Sequence, residues 1–180
     1  MPSFAAAVAS WQNFYMLVGA AAATLIGLMF VAVTFGSSLV TAQTSASARA
    51  FLDPTFTHFV QVLLTACLVT IPTMGPALLG VLLLVISTLR IGSLGRIQRH
   101  MRAAQRAHND LELSDWMTGI VIPLLAFLLL GAAGAAFLAG YAVAFDALAI
   151  VTVAILLNGL FGAWELMVWM AVARSSRPSA

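Results

Sequence analysis

The chain has 180 residues, 62% of them hydrophobic and 8% charged, with a formal net charge of +2 at pH 7. A water-soluble domain carries about 25% charged residues, so this composition excludes one and makes lipid the solvent for most of the surface. The absence of lysine excludes a P-loop, a Schiff-base lysine and a Ser–Lys dyad, and the single cysteine, Cys67, excludes an intrachain disulfide or a cysteine-built zinc or iron–sulfur centre.

Residues 1–180 read as one all-α membrane domain, because the ~10-residue alternating segments of a membrane barrel are missing. Residues 11–48 contain no charged side chain, and ~20 apolar residues suffice to span a bilayer, so a first helix is predicted over 12–40. Ala46-Ser47-Ala48 resembles a signal-peptide cleavage site. Residues 1–10 lack a basic segment, however, and the apolar run far exceeds the usual ~7–15 residues, so the helix is expected to be retained.

Asp53 followed by Pro54 has the form of a helix start, a capping residue and then a first-turn proline. Apolar sequence continues from there to Leu89, about 36 residues or ~54 Å of helix, nearly twice the ~30 Å hydrocarbon thickness. Pro72, Gly75 and Pro76 supply turn chemistry in its middle, which predicts a helical hairpin with spans over 54–72 and 76–93. Ser114-Asp115-Trp116 places a cap before an interfacial aromatic and opens a span over 116–141. Asp146 caps a fifth, over 146–173. With five spans and the N-terminus outside, all 8 arginines fall on the cytoplasmic side, as short cytoplasmic loops require.

The segment from Arg90 to His108 is basic. Arg96, Arg99, Arg102 and Arg106 recur at helical spacing, with Ile97, Met101 and Ala104 on another face. An amphipathic cytoplasmic helix over 94–109 is therefore expected to extend the third span, breaking near Asn109-Asp110. It suits anionic lipid headgroups, at about 1 kcal/mol per basic residue near the surface. Nucleic acid is not an expected partner, because the segment lacks aromatic residues and is tethered at the bilayer.

Small residues recur every four positions at Gly19, Ala23 and Gly27, and again at Ala132, Ala136 and Gly140, a pattern that lets helices approach closely in lipid. Five short helices enclose little room for a pore, so a transport role implies a homo-oligomer.

Polar side chains inside the spans carry the functional expectation. His58, Gln61 and Thr65 share one face of the second helix, and Asn158, Gly162, Glu165 and Trp169 one face of the fifth. Ionisable groups within spans are costly and face the bundle interior or water. Measured from the cytoplasmic ends, Gln61 lies ~10 Å deep, Glu165 ~13 Å and Pro123 ~10 Å. Pro123 is expected to kink the fourth helix and free the carbonyl of Gly119. A polar centre joining the second, fourth and fifth helices is predicted, with Glu165 stabilised by water, a cation or a partner such as His58 or Gln61.

The run Phe14-Tyr15-Met16-Leu17-Val18-Gly19, continuing Ala21-Ala22-Ala23-Thr24-Leu25-Ile26-Gly27-Leu28-Met29-Phe30-Val31-Ala32-Val33, with Asp53-Pro54-Thr55 to His58-Phe59, resembles a group of small uncharacterised bacterial multi-pass membrane proteins. The resemblance covers the first two helices, implies a bacterial cytoplasmic membrane, and carries no functional residue. His58 is the only intramembrane histidine, which argues against a bis-histidine haem site within one chain, and no cofactor or metal is implied. No nucleophile, base and orienting group gather at an interface, so an enzyme is not expected. The expected function is an oligomeric channel or transporter for small ions, and the alternative is a non-transporting accessory or scaffold protein.

Overall fold

The computed structural model describes residues 4–36, 45–105, 121–141 and 143–175. They form five helices, with no strand among the described residues: α1 (Phe4–Gly36), α2 (Ser45–Thr70), α3 (Pro76–Gln105), α4 (Ile122–Leu138) and α5 (Ala144–Ser175). Phe4–Phe35, Pro76–Leu94 and Ala144–Val168 are each long and apolar enough to cross a membrane, while Pro54–Thr70 and Ile122–Leu138 are shorter apolar helices. Leu17, Phe35, Leu89, Ile150, Phe161 and Trp164 are exposed. An outer surface this apolar belongs in lipid.

The hairpin between α2 and α3 forms where the sequence placed it. Met74 N–H donates to the Ile71 carbonyl at 3.1 Å, and Leu79 N–H to Gly75 at 3.0 Å. Pro76 takes the first position of α3, where its missing N–H removes no intrahelical bond.

Three predicted helix starts are corrected. α1 begins at Phe4 rather than 12, because Ala5, Ala6 and Ala7 are strong helix formers. Asp53-Pro54 is not a start: α2 runs from Ser45 with Pro54 inside it, proline there deleting a single backbone donor. Asp146 lies in the first turn of α5 rather than before it, where a carboxylate still opposes the positive end of the helix dipole. The proposed cap at Ser114-Asp115-Trp116 and the break at Asn109-Asp110 lie outside the described residues. The basic extension is helical as far as Gln105.

α1 packs on α2 and α5, α2 on α5, α5 on α4, and α4 on α3, whereas α2 and α3 meet only sparsely despite their short connection. Tyr15, Val62, Leu79, Leu83, Leu130, Leu148 and Val151 fill the shared core. The Phe4 ring lies 5.6 Å from Phe145 and 6.3 Å from Phe137, and Phe137 and Phe145 meet edge to face at 4.8 Å. The start of α1 therefore sits beside the α4–α5 turn.

The small-residue ladders pack differently from expectation. A Cβ on Gly19 would lie 2.9 Å from the Ala66 Cβ, so Gly19 does seat α1 on α2, but nothing lies within 4 Å of such an atom on Gly27, and Ala23 is exposed. In α4, Ala132 is exposed, and the close approach to α3 is made by Gly131 and Gly134. Inward-pointing Phe127, Leu130 and Phe137 set the rotation of α4, and a helix this rich in alanine carries four-residue small repeats on more than one face. Gly140 is a helix stop: it adopts φ +76°, its N–H donates to Phe137 and that of Tyr141 to Ala136, the Schellman pattern that favours glycine.

Candidate functional site

The interior of this apolar bundle holds Thr55, His58, Gln61 and Thr65 of α2, Ser87 of α3 and Thr152 of α5, all buried. The four α2 residues recur every three or four positions, so they form one stripe along the helix. His58, Gln61 and Thr65 are the group expected from the sequence. Gln61 is only 1% exposed.

The stripe is tied to α3 by a residue that sequence reasoning assigned to the basic loop. Arg90 Nε donates to Gln61 Oε1 at 3.3 Å, Gln61 Nε2 donates to Thr65 Oγ1 at 3.3 Å, and Thr65 Oγ1 donates to the Gln61 carbonyl at 2.9 Å. Axial geometry explains why this pair meets. Gln61 lies nine residues before the end of α2 and Arg90 fourteen after the start of α3, placing their Cα atoms about 14 and 21 Å from the connecting turn. The difference is about the reach of an arginine side chain, and side chains on a helix lean toward its N-terminus, here toward that turn. The Arg90 guanidinium is thus delivered to the level of Gln61. The signal available in the sequence was the position of Arg90 inside an apolar run that continues to Leu94, with Ser87 one turn before it.

α4 closes the third side. Ser87 Oγ donates to the Phe127 carbonyl at 2.6 Å, and the His58 ring stacks on the Phe127 ring with centroids 6.4 Å apart and planes 25° from parallel. His58 is therefore buried inside the bundle. Pro123 is buried at the second position of α4, so it interrupts no bond within the described helix; Gly119 lies outside the described residues.

α5 contributes backbone rather than polar side chains. A Cβ on Gly159 would lie 2.8 Å from the Phe59 ring and 3.2 Å from the His58 Cβ, and one on Gly162 would collide with Thr55 Oγ1. Asn158 is half-buried and Glu165 is exposed. The expected centre on the second, fourth and fifth helices is thereby redrawn: it gathers α2, α3 and α4 around Arg90, with α5 as a close-fitting wall. The side chains of Arg96, Arg99 and Arg102 and of Trp169, and the whole of Arg106, lie outside the described residues.

Comparison with protein-family models, with curated proteins and with solved structures finds no match, so the arrangement itself carries the functional argument.

Proposed function

We propose that this chain is the subunit of an oligomeric channel or transporter for small ions in a bacterial cytoplasmic membrane, crossing it five times with the N-terminus outside. The observation that carries the reading is the Arg90–Gln61–Thr65 chain in an apolar bundle, with Gln61 and Thr65 buried and Arg90 half-buried. A guanidinium about 14 Å from the outer turn stands near mid-depth in a hydrocarbon layer ~30 Å thick. Polar groups at that depth are costly and accompany ion pathways. The contact of the α1 start with the α4–α5 turn supports the orientation, because it sets those ends on one side and leaves the arginine-rich segments for the other. The reading includes no catalytic step and no cofactor, and anionic lipid meets the basic extension of α3.

One observation favours the alternative of a non-transporting scaffold: among the described residues every buried side-chain nitrogen or oxygen has a hydrogen-bond partner, as in a cluster that only fixes helix register. Reconstitution separates the two. The purified chain in liposomes should pass ions under an imposed gradient, and Gln61→Leu should abolish that flux or change its selectivity while the oligomer persists. Flux equal to that of empty liposomes across several ions, voltages and pH values would sink the transport reading and leave the scaffold.

A further inference from the structure

The closest helix contacts in this bundle sort its helices into two groups. Gly19 of α1 meets Ala66 of α2, and Gly159 and Gly162 of α5 meet Phe59 and Thr55 of α2. Gly80 of α3 meets Gly134 of α4, and Gly131 of α4 meets Ser87 of α3. Each of these glycine contacts lies within α1–α2–α5 or within α3–α4, and none joins the two groups. Chain direction adds a second observation. Thr55 and Phe59 pair with Gly162 and Gly159, and Gly80 and Ser87 with Gly134 and Gly131, so α2 runs antiparallel to α5, and α3 to α4. The α2–α3 and α4–α5 turns, the two places where the chain passes from one group to the other, therefore lie at the same end of the bundle.

Contacts between the groups differ in kind along that axis. Beside the turns, the Phe137 ring of α4 meets the rings of Phe145 in α5 and Phe4 in α1. Farther from them, α2 and α3 meet only sparsely, and the described links are the Arg90–Gln61 hydrogen bond and the His58–Phe127 stack. Glycine-fitted backbones lose their packing if they part in lipid. A hydrogen bond between polar side chains breaks at little net cost where water replaces it.

We propose that the bundle is a two-armed clamp, with α1, α2 and α5 as one arm, α3 and α4 as the other, a hinge at the end that carries both turns, and the Arg90–Gln61 hydrogen bond as the latch. Rigid bodies joined by a few turn residues at one end are the components of hinge closure. Opening the arms exposes His58, Gln61 and Thr65 to a cleft that faces away from the turns. The use of that cleft as a gate rests on the transport reading above, whereas the hinge does not.

The test reads distances between nitroxide pairs by pulsed electron resonance in the full-length chain in lipid nanodiscs, in a Cys67→Ala background, with labelled chains diluted by unlabelled ones. All label positions are exposed. Labels replacing Leu89 and Leu160 report across the arms far from the turns, Leu78 and Ile150 across the arms near them, and Leu89 and Leu125 within one arm. Gln61→Leu releases the latch from one side and Arg90→Gln from the other. Each should lengthen the Leu89–Leu160 distance by about 5 Å, the arc of a ~15° rotation at ~20 Å from the hinge, and leave the other two pairs in place. Gln61→Glu keeps the shape and turns the latch into an ion pair, so it should hold the arms closed. An unchanged Leu89–Leu160 distance in both releasing variants overturns the clamp, as does equal broadening of all three pairs or lengthening in Gln61→Glu. Unchanged distances with ion flux in liposomes leave the transport reading standing without the clamp. The expected lengthening without flux removes the transport reading alone.

Discussion

Gly80 of α3 and Gly134 of α4 meet backbone to backbone. A Cβ built on Gly80 would lie 2.7 Å from the Gly134 carbonyl oxygen, and one on Gly134 would lie 2.9 Å from that of Gly80. Neither oxygen can rotate away, so any side chain forces the helices apart. The consequence extends past this pair, because α4 carries Phe127 and α3 carries Arg90, and their spacing sets the polar centre. In lipid, association depends on such close packing rather than on hydrophobic burial.

Gly134→Ala and Gly80→Ala should each destabilise the bundle by about 1–3 kcal/mol through overpacking, exceeding the ~1 kcal/mol that alanine gains in helix propensity. Gly27→Ala is the control. With nothing within 4 Å of its added methyl, only the propensity gain remains and the protein should be unchanged or slightly more stable. Denaturant titration in detergent, followed by circular dichroism, ranks the three. A stable Gly134→Ala would contradict the α3–α4 interface.

Ser87 and Gly131 form a second contact on the same interface that should be non-additive. A Cβ on Gly131 would lie 2.8 Å from Ser87 Oγ but 3.4 Å from Ser87 Cβ. Ser87→Ala loses the hydrogen bond to Phe127, about 0.5–1.5 kcal/mol, yet it removes the atom that an alanine at 131 would strike. Gly131→Ala should therefore cost less in the Ser87→Ala background than in the wild type. Strict additivity in the double-mutant cycle would show that the two positions are not in contact.

The parts of this fold legible from sequence were those fixed by local chemistry. Pro72, Gly75 and Pro76 act on their own backbone, and the hairpin could be read from them directly. The polar stripe of His58, Gln61 and Thr65 was legible too, since residues three or four apart share a face wherever the helix packs. What escaped depends on helix rotation. Glu165 and Asn158 could be placed on one face of the fifth helix, but which face meets α2 is decided by Gly159 and Gly162 fitting against Phe59 and Thr55. Arg90 was assigned by charge to the cytoplasmic boundary, and only the closeness of α3 to the end of α2 shows its side chain reaching back to Gln61.

The orientation is open to direct labelling. In a Cys67→Ala background, Thr73→Cys in the α2–α3 turn and Ala139→Cys beside the α4–α5 turn should both react with an impermeant maleimide added to intact cells. Ser93→Cys, far along α3, should react only after permeabilisation. Thr73 and Ala139 labelling from opposite sides would contradict the five-span topology, and exposure of position 93 in intact cells would invert it.

The basic extension makes a prediction independent of the polar centre. Replacing Arg96, Arg99, Arg102 and Arg106 with Gln should reduce retention of anionic lipid, and the wild-type preference should weaken as salt rises, since surface charge is screened within about 10 Å at 0.1 M. Native mass spectrometry across a salt series gives the measurement. Retention that ignores both the substitutions and the salt would leave the segment as a topological anchor without lipid recognition.

Gln61 and Glu165 were expected to act together, and the structure buries the first and exposes the second. Gln61 is buried and serves as acceptor for Arg90 and donor to Thr65. Replacing it with Leu leaves the guanidinium without its one acceptor among the described residues and Thr65 Oγ1 with one bond fewer, at a cost of about 1–3 kcal/mol. Glu165 is exposed on α5, so Glu165→Gln should leave the folded bundle almost as stable as before. Flux should follow the same order if transport runs through the Arg90 centre: altered by Gln61→Leu, insensitive to Glu165→Gln. Detergent unfolding curves and liposome flux on the same two preparations decide it. A flux abolished by Glu165→Gln with normal stability would move the ion pathway from the bundle interior to the outer face of α5, where only a neighbouring subunit could enclose it.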